Sequence, residues 1–130
     1  MNRLVIPVLF LFLGTSGFCQ APTPCVDYLI ASAAADFHGQ SPSKSLRFRD
    51  VRVGHIISSD GTKQYMLCGQ FTATQKAGKT KWEHFVTIKT NGYEQYVGRQ
   101  ADSFCQHSLV RWDTQKGLSS SLQNRLDSQR

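Results

Sequence analysis

Four histidines, His38, His55, His84 and His107, are the side chains of this chain best suited to moving protons. A small basic ribonuclease uses two histidines and a lysine: one imidazole takes a proton, the other gives one, and the ammonium neutralises the phosphate. His55 and His84 fall on neighbouring parts of an expected sheet, with Lys63, Lys81 and Lys89 as available cations. They are the catalytic pair that a secreted phosphodiesterase-type hydrolase would require. The competing expectation is plainer. His38 caps a helix end, His107 sits on a wet helix face, and the strand histidines are satisfied or exposed. No base–orienter pairing marks either strand histidine in the sequence. There is no G-x-S-x-G, no phosphate-binding glycine loop of the Walker type and no H-E-x-x-H. Asp50, Asp60, Glu83, Glu94 and Asp102 are spread over different elements rather than paired, and Cys25 is an isolated nucleophile. Arg47, Arg49 and Arg52, with Phe48 among them, could contact nucleic acid or another anionic polymer, or line a solvated strand edge.

Cysteines carry the next chemistry. Four are present, Cys19, Cys25, Cys68 and Cys105. Cys68 falls in an expected strand and Cys105 in an expected helix, the kind of distant pair that staples a small domain. In the chain-entropy account such a cross-link contributes roughly 4 kcal/mol, less any strain. Cys25 is then free, or pairs with Cys19 if that residue is retained. No C-x-x-C or H-x-x-x-H spacing supports zinc, so neither metal nor cofactor is expected.

The chain opens with Met1-Asn2-Arg3, an apolar run from Leu4 to Leu13 broken only by Pro7, and the small residues Gly14-Thr15-Ser16-Gly17. That is the layout of a signal peptide over residues 1–19, followed by a periplasmic or secreted domain. About ten apolar residues are too few to span a bilayer, which needs about 20. Cys19 as a lipid-attachment site is disfavoured by Phe18, where such a signal takes a small residue. Removing Arg3 lowers the formal charge from +6 to +5. This modest excess suits anionic partners, although the cations are scattered enough to serve solubility alone.

About 110 residues then form one core. Thr23-Pro24 starts a helix whose apolar stripe, Val26, Leu29, Ile30, Ala33, Ala34 and Phe37, runs to about His38 before Gly39. Leu46 to Ile57 alternates, but Phe48 stands three residues before Val51, out of phase, which calls for a bulge or a strand that starts after Phe48. Lys63 to Ala73, Trp82 to Lys89 and Tyr93 to Val97 alternate as well. Asp60-Gly61, Gly78 and Asn91-Gly92 supply the turns. The expectation is an α+β domain over residues 20–117: an N-terminal helix on a four-stranded antiparallel meander, then a helix from Arg99 to about Asp113. Residues 118–130 read as a frayed polar tail.

The segments F-R-D-V-R-V, Y-M-L-C-G-Q-F and W-x-x-F-V, with Cys105 beyond them, resemble a group of small exported bacterial proteins that share an F-R-x-V … C-G strand pattern and have no established activity. The likeness runs from about Ser41 to Cys105. It departs from the group at Ser43 to Leu46 and at Thr72 to Gly78. The resemblance implies export and fold, not chemistry.

With Val51, Val53, Leu67, Phe71 and Phe85 facing the first helix, Met66, Trp82, Val86, Ile88 and Tyr96 face away. An apolar remainder at Trp82, Val86 and Ile88, rimmed by Lys81, Lys89 and Glu94, would bind an envelope or extracellular protein. The expected function is therefore non-catalytic binding after export. The alternatives are the hydrolase and an anionic-polymer binder at Arg47, Arg49 and Arg52.

Overall fold

The computed structural model describes residues 21–40, 45–73 and 80–129. The expected signal peptide, Cys19 and most of the turn around Gly78 lie outside them. Helix α1 spans Thr23–Gln40, with Pro24 in its first turn, where a missing N–H costs nothing. It runs past Gly39 rather than stopping there. Strands β1 (Leu46–Ile57), β2 (Lys63–Ala73), β3 (Glu83–Lys89) and β4 (Tyr93–Val97) follow as the expected antiparallel meander.

Two corrections come after β4. The second helix, α2, is short, Arg99–Cys105. Beyond it the chain turns at His107, whose ring Nδ1 accepts the Leu109 N–H at 3.1 Å while its carbonyl accepts the Val110 N–H. The chain then forms a fifth strand, β5 (Arg111–Trp112), beside β1, giving the sheet order β4-β3-β2-β1-β5. Gly54 makes that pairing fit. A Cβ there would lie 2.8 Å from the Trp112 ring and 2.9 Å from the Val110 side chain. The second correction concerns the tail. Residues Leu118–Asp127 form a helix, α3, with Leu118, Leu122 and Leu126 buried on one stripe. Ser119 Oγ accepts the Val51 N–H and Gln123 Nε2 donates to the Leu46 carbonyl, so α3 closes the edge of β1 that β5 leaves open.

The two faces of the sheet carry separate cores. On one, α1 and α3 cover Val51, Val53, Leu67 and Phe85. Phe37 of α1 sits 5.1, 4.9 and 5.2 Å from Phe48, Phe71 and Phe85, in tilted and edge-on contacts. On the other, α2 covers Met66, Cys68, Val86 and Ile88, with Val110, Trp112 and Tyr96 around them. The Cys68–Cys105 disulfide ties α2 to β2 across this second core, as the sequence suggested. No helix among the described residues is long and apolar enough to cross a membrane.

Candidate functional site

The site begins with an irregularity in β1. Arg49 pairs with Gln70 and Arg52 with Cys68, so Asp50 and Val51 together stand opposite Gly69 alone. That is a β-bulge, and Asp50 carries it with φ 54°, a left-handed conformation that aspartate adopts more readily than most residues. It also resolves the phase shift between Phe48 and Val51. Without an extra residue, Arg49 and Arg52 would point to opposite faces. With it, Leu46, Phe48, Val51 and Val53 all face α1, while Arg47, Arg49 and Arg52 all face the other way. Gly69 makes room for the bulge, because a Cβ there would lie 2.8 Å from the Val51 side chain and 3.1 Å from its Cα.

The three arginines therefore form a row. Their Cα positions lie opposite Thr72, Gln70 and Cys68 of β2, two residues apart on that strand, or about 7 Å at 3.4 Å per residue. Two of the three lie on indoles. Arg49 Cζ is 4.2 Å from the centre of the Trp82 ring, and Arg52 Cζ is 3.7 Å from that of Trp112. Arg49 also donates from Nε to the Gln70 side-chain oxygen at 2.6 Å, with the Asp50 carboxylate 3.8 Å away. Arg47 shares a hollow of about 500 Å³ with Trp82, Gln123 and Asp127.

Beside the row opens a cleft of about 600 Å³ between the bulge, α2 and the Gln115-Lys116-Gly117 segment. His84 and Asp102 face each other in it, with Nε2 and Oδ1 3.4 Å apart and both side chains 39% exposed. The fold sets this pair. The Gly98 N–H donates to the His84 carbonyl at the start of α2, and the disulfide holds its end at Cys105. Asp102 also accepts the Gln106 side-chain amide. Arg49, Gln70 and His84 lie side by side across β1, β2 and β3. Among the described residues the lining holds an imidazole, carboxylates, amides and cations but no serine, threonine or free thiol.

No family model, curated protein or solved structure matches this chain.

The residues singled out in the sequence divide sharply. Arg47, Arg49, Arg52, Trp82 and His84 come together on one face. His55 does not join them. It faces the α1 side with Val53, is 9% exposed and lies 5.5 Å from the Tyr65 ring. Burial pushes its imidazole below the usual range, helped by Lys63 and Arg111 and opposed by Asp113. Lying on opposite faces, His55 and His84 cannot act on one phosphodiester. Val86 and Ile88 are 0% and 4% exposed, part of the second core. The apolar surface expected of them is closed over by α2, Val110, Trp112 and Tyr96. Lys89 is also on the far side, over the Tyr28 ring. Cys25 keeps a free, half-buried thiol whose ionisation burial opposes more than Lys89 favours, so it is a poor nucleophile. No group of three His, Cys, Asp or Glu side chains among the described residues is placed to hold a metal. Sequence reasoning missed Gln70, Asp102, Trp112 and Lys116. The spacing of Asp102 and Cys105, three apart on one helix face, was the signal that could have placed Asp102 beside the disulfide and hence in the cleft.

Proposed function

We propose that this chain is an exported, non-catalytic domain that binds an anionic partner of the envelope or the extracellular space through Arg47, Arg49 and Arg52. The observation that carries this is the bulge at Asp50, which brings three cations that a regular strand would split onto one face. A scattered basic surface needs no such device. The signal-peptide pattern at residues 1–19 supports export, and the Cys68–Cys105 disulfide suits an oxidising compartment.

The test separates the row from net charge. Arg47→Gln with Arg52→Gln removes two cations from the row; Arg99→Gln with Arg125→Gln removes two from exposed positions on α2 and α3. Retention on a polyphosphate matrix should fall markedly for the first pair and little for the second. Equal losses would reduce the binding to overall charge, and the row would not be a site.

The His84–Asp102 pair supports a second reading. A carboxylate that orients an imidazole, with Arg52 and Lys116 lining the same cleft, is an arrangement able to hydrolyse a phosphodiester by activating water. It replaces the two-histidine version. RNA cleavage by the mature chain that is lost in His84→Ala but kept in His55→Gln would establish it.

A further inference from the structure

We infer that the anionic partner is a single-stranded nucleic acid lying along the Arg47–Arg49–Arg52 row, an inference that rests on the anionic-partner reading above. Three features select this polymer over other linear anions. The first is the repeat. Arg47, Arg49 and Arg52 stand at Cα steps of about 7 Å on one face. Arg49 leans over Trp82 beside β3 and Arg52 over Trp112 of β5, so the backbone of a flexible single strand can pass each cation in turn. The second is the way the cations are held. Arg49 and Arg52 rest on Trp82 and Trp112, which leaves the outer side of each guanidinium free. A base can stack there, continuing an indole–guanidinium–base column. A carboxylated polysaccharide or an acidic peptide backbone has no flat ring to place in that position.

The third feature is the cleft beside Arg52. Gln70, Gln106, Gln115 and Asp102 line it with amide donors and acceptors and a carboxylate that adds to that of Asp50, next to His84. Those groups complement base edges: the carboxylate accepts from an exocyclic amine, and the amides pair with amide-like edges. At about 600 Å³ the cleft has the size of a small-ligand pocket, which suits a splayed-out base with its sugar. Carboxylates bound the track: Asp127 in the hollow beside Arg47, Asp50 beside Arg49 and Asp102 across the cleft. They favour a single strand threaded along the arginines over a broad contact with a duplex.

The chain reports on its own occupancy, because its two tryptophans are the two that carry the arginines. The experiment is a tryptophan-fluorescence titration of the mature chain with four probes: a short oligothymidylate, the same backbone without bases, inorganic polyphosphate and oligogalacturonate. Oligothymidylate should bind with a slope of log affinity against log salt of about −2, from about −0.7 for each of three phosphates on a single strand. The base-free backbone should bind at least about tenfold more weakly, since the stacking of bases on two guanidiniums is lost. Arg47→Ala should reduce the slope by about 0.7. Arg52→Lys keeps the charge but not the planar group, so it should keep the slope and reduce the preference for bases over bare backbone to what Arg49 alone supplies. Polyphosphate, oligogalacturonate or base-free backbone binding as tightly as oligothymidylate would overturn the nucleic-acid inference and leave the anionic-partner reading standing. No response to any of the four probes would overturn both.

Discussion

The two faces of the sheet are built in opposite ways. On the α1 side, two helices and four phenylalanines close a continuous apolar layer over β1, β2 and β3. On the α2 side a seven-residue helix does the covering, and it is about 10 Å long. Strand β1, with twelve residues, extends roughly 40 Å. A cover that short protects one end of the face, and the disulfide fixes it there. The other end is left to polar side chains: Arg47, Arg49, Gln70, His84. The difference teaches that the phenylalanine cluster and the arginine row are separated by the thickness of one sheet, and that the bulge serves both. Its extra residue turns Val51 into the core and Arg52 out of it.

If that separation holds, the largest loss of stability comes from the α1 side. Phe37→Ala removes the ring that contacts three other phenylalanines and should cost about 3–5 kcal/mol in urea unfolding. A loss below about 1 kcal/mol would mean that the aromatic cluster is not what holds α1 to the sheet. On the α2 side the disulfide is the main support. Replacing Cys68 and Cys105 together by alanine should cost about 2–4 kcal/mol, since the bond closes a loop spanning 37 positions. The same variant should loosen Asp102 from His84 and weaken the hold on a base in the cleft, while the arginine row, anchored on β1, keeps its salt slope for oligothymidylate. Loss of that slope together with stability would break the comparison.

Gly69→Ala acts on both faces at once. Its new methyl group meets Val51 and Phe85 in the core, an overpacking worth about 1–3 kcal/mol. Relief comes from pushing Val51 outward, which undoes the bulge and turns the row out of line. Affinity for the anionic probe should therefore fall even in molecules that remain folded, as measured by titration well below the unfolding temperature. Full affinity in a destabilised variant would separate the bulge from the site.

Much of this molecule was legible in its sequence, for physical reasons that also explain the misses. The four meander strands showed because alternation is local and repeated. The bulge showed as the phase slip between Phe48 and Val51, and the disulfide as two cysteines on distant elements. Helix α3 was not legible. Its three leucines, four residues apart, make a stripe too narrow to hold a helix in water, and it forms because α1 and the open edge of β1 bury that stripe. Nor was β5, a two-residue strand defined by its partners Gly54 and His55 rather than by any pattern of its own. The periodicity from Ala101 to Trp112 was real for its first half; Leu109, 64% exposed, lies past the turn and outside any helical face. The cleft was the least legible. His84, Asp102 and Arg52 come from three elements, and what joins them is register and a cross-link, neither of which is a spacing along the chain.

The smallest predicted effect is the most discriminating. Arg52→Gln removes a guanidinium that rests on Trp112 in a solvent-exposed setting, a contact worth about 0.5–1 kcal/mol. Arg52 has no carboxylate within ion-pair distance among the described residues, so little else is lost from the folded state. Unfolding by urea should then shift by no more than about that amount, with an unchanged dependence on denaturant. Binding should behave differently, because the same guanidinium supplies one of three phosphate contacts and a stacking surface. A variant that unfolds almost like the parent chain but loses most of its affinity for oligothymidylate places Arg52 on the functional side of the division. If Arg52→Gln instead costs 2 kcal/mol or more, the Arg52–Trp112 stack is part of what holds β5 on the sheet. The row would then belong to the fold, and the contrast between the two faces would have to be redrawn around His84 and Asp102 alone.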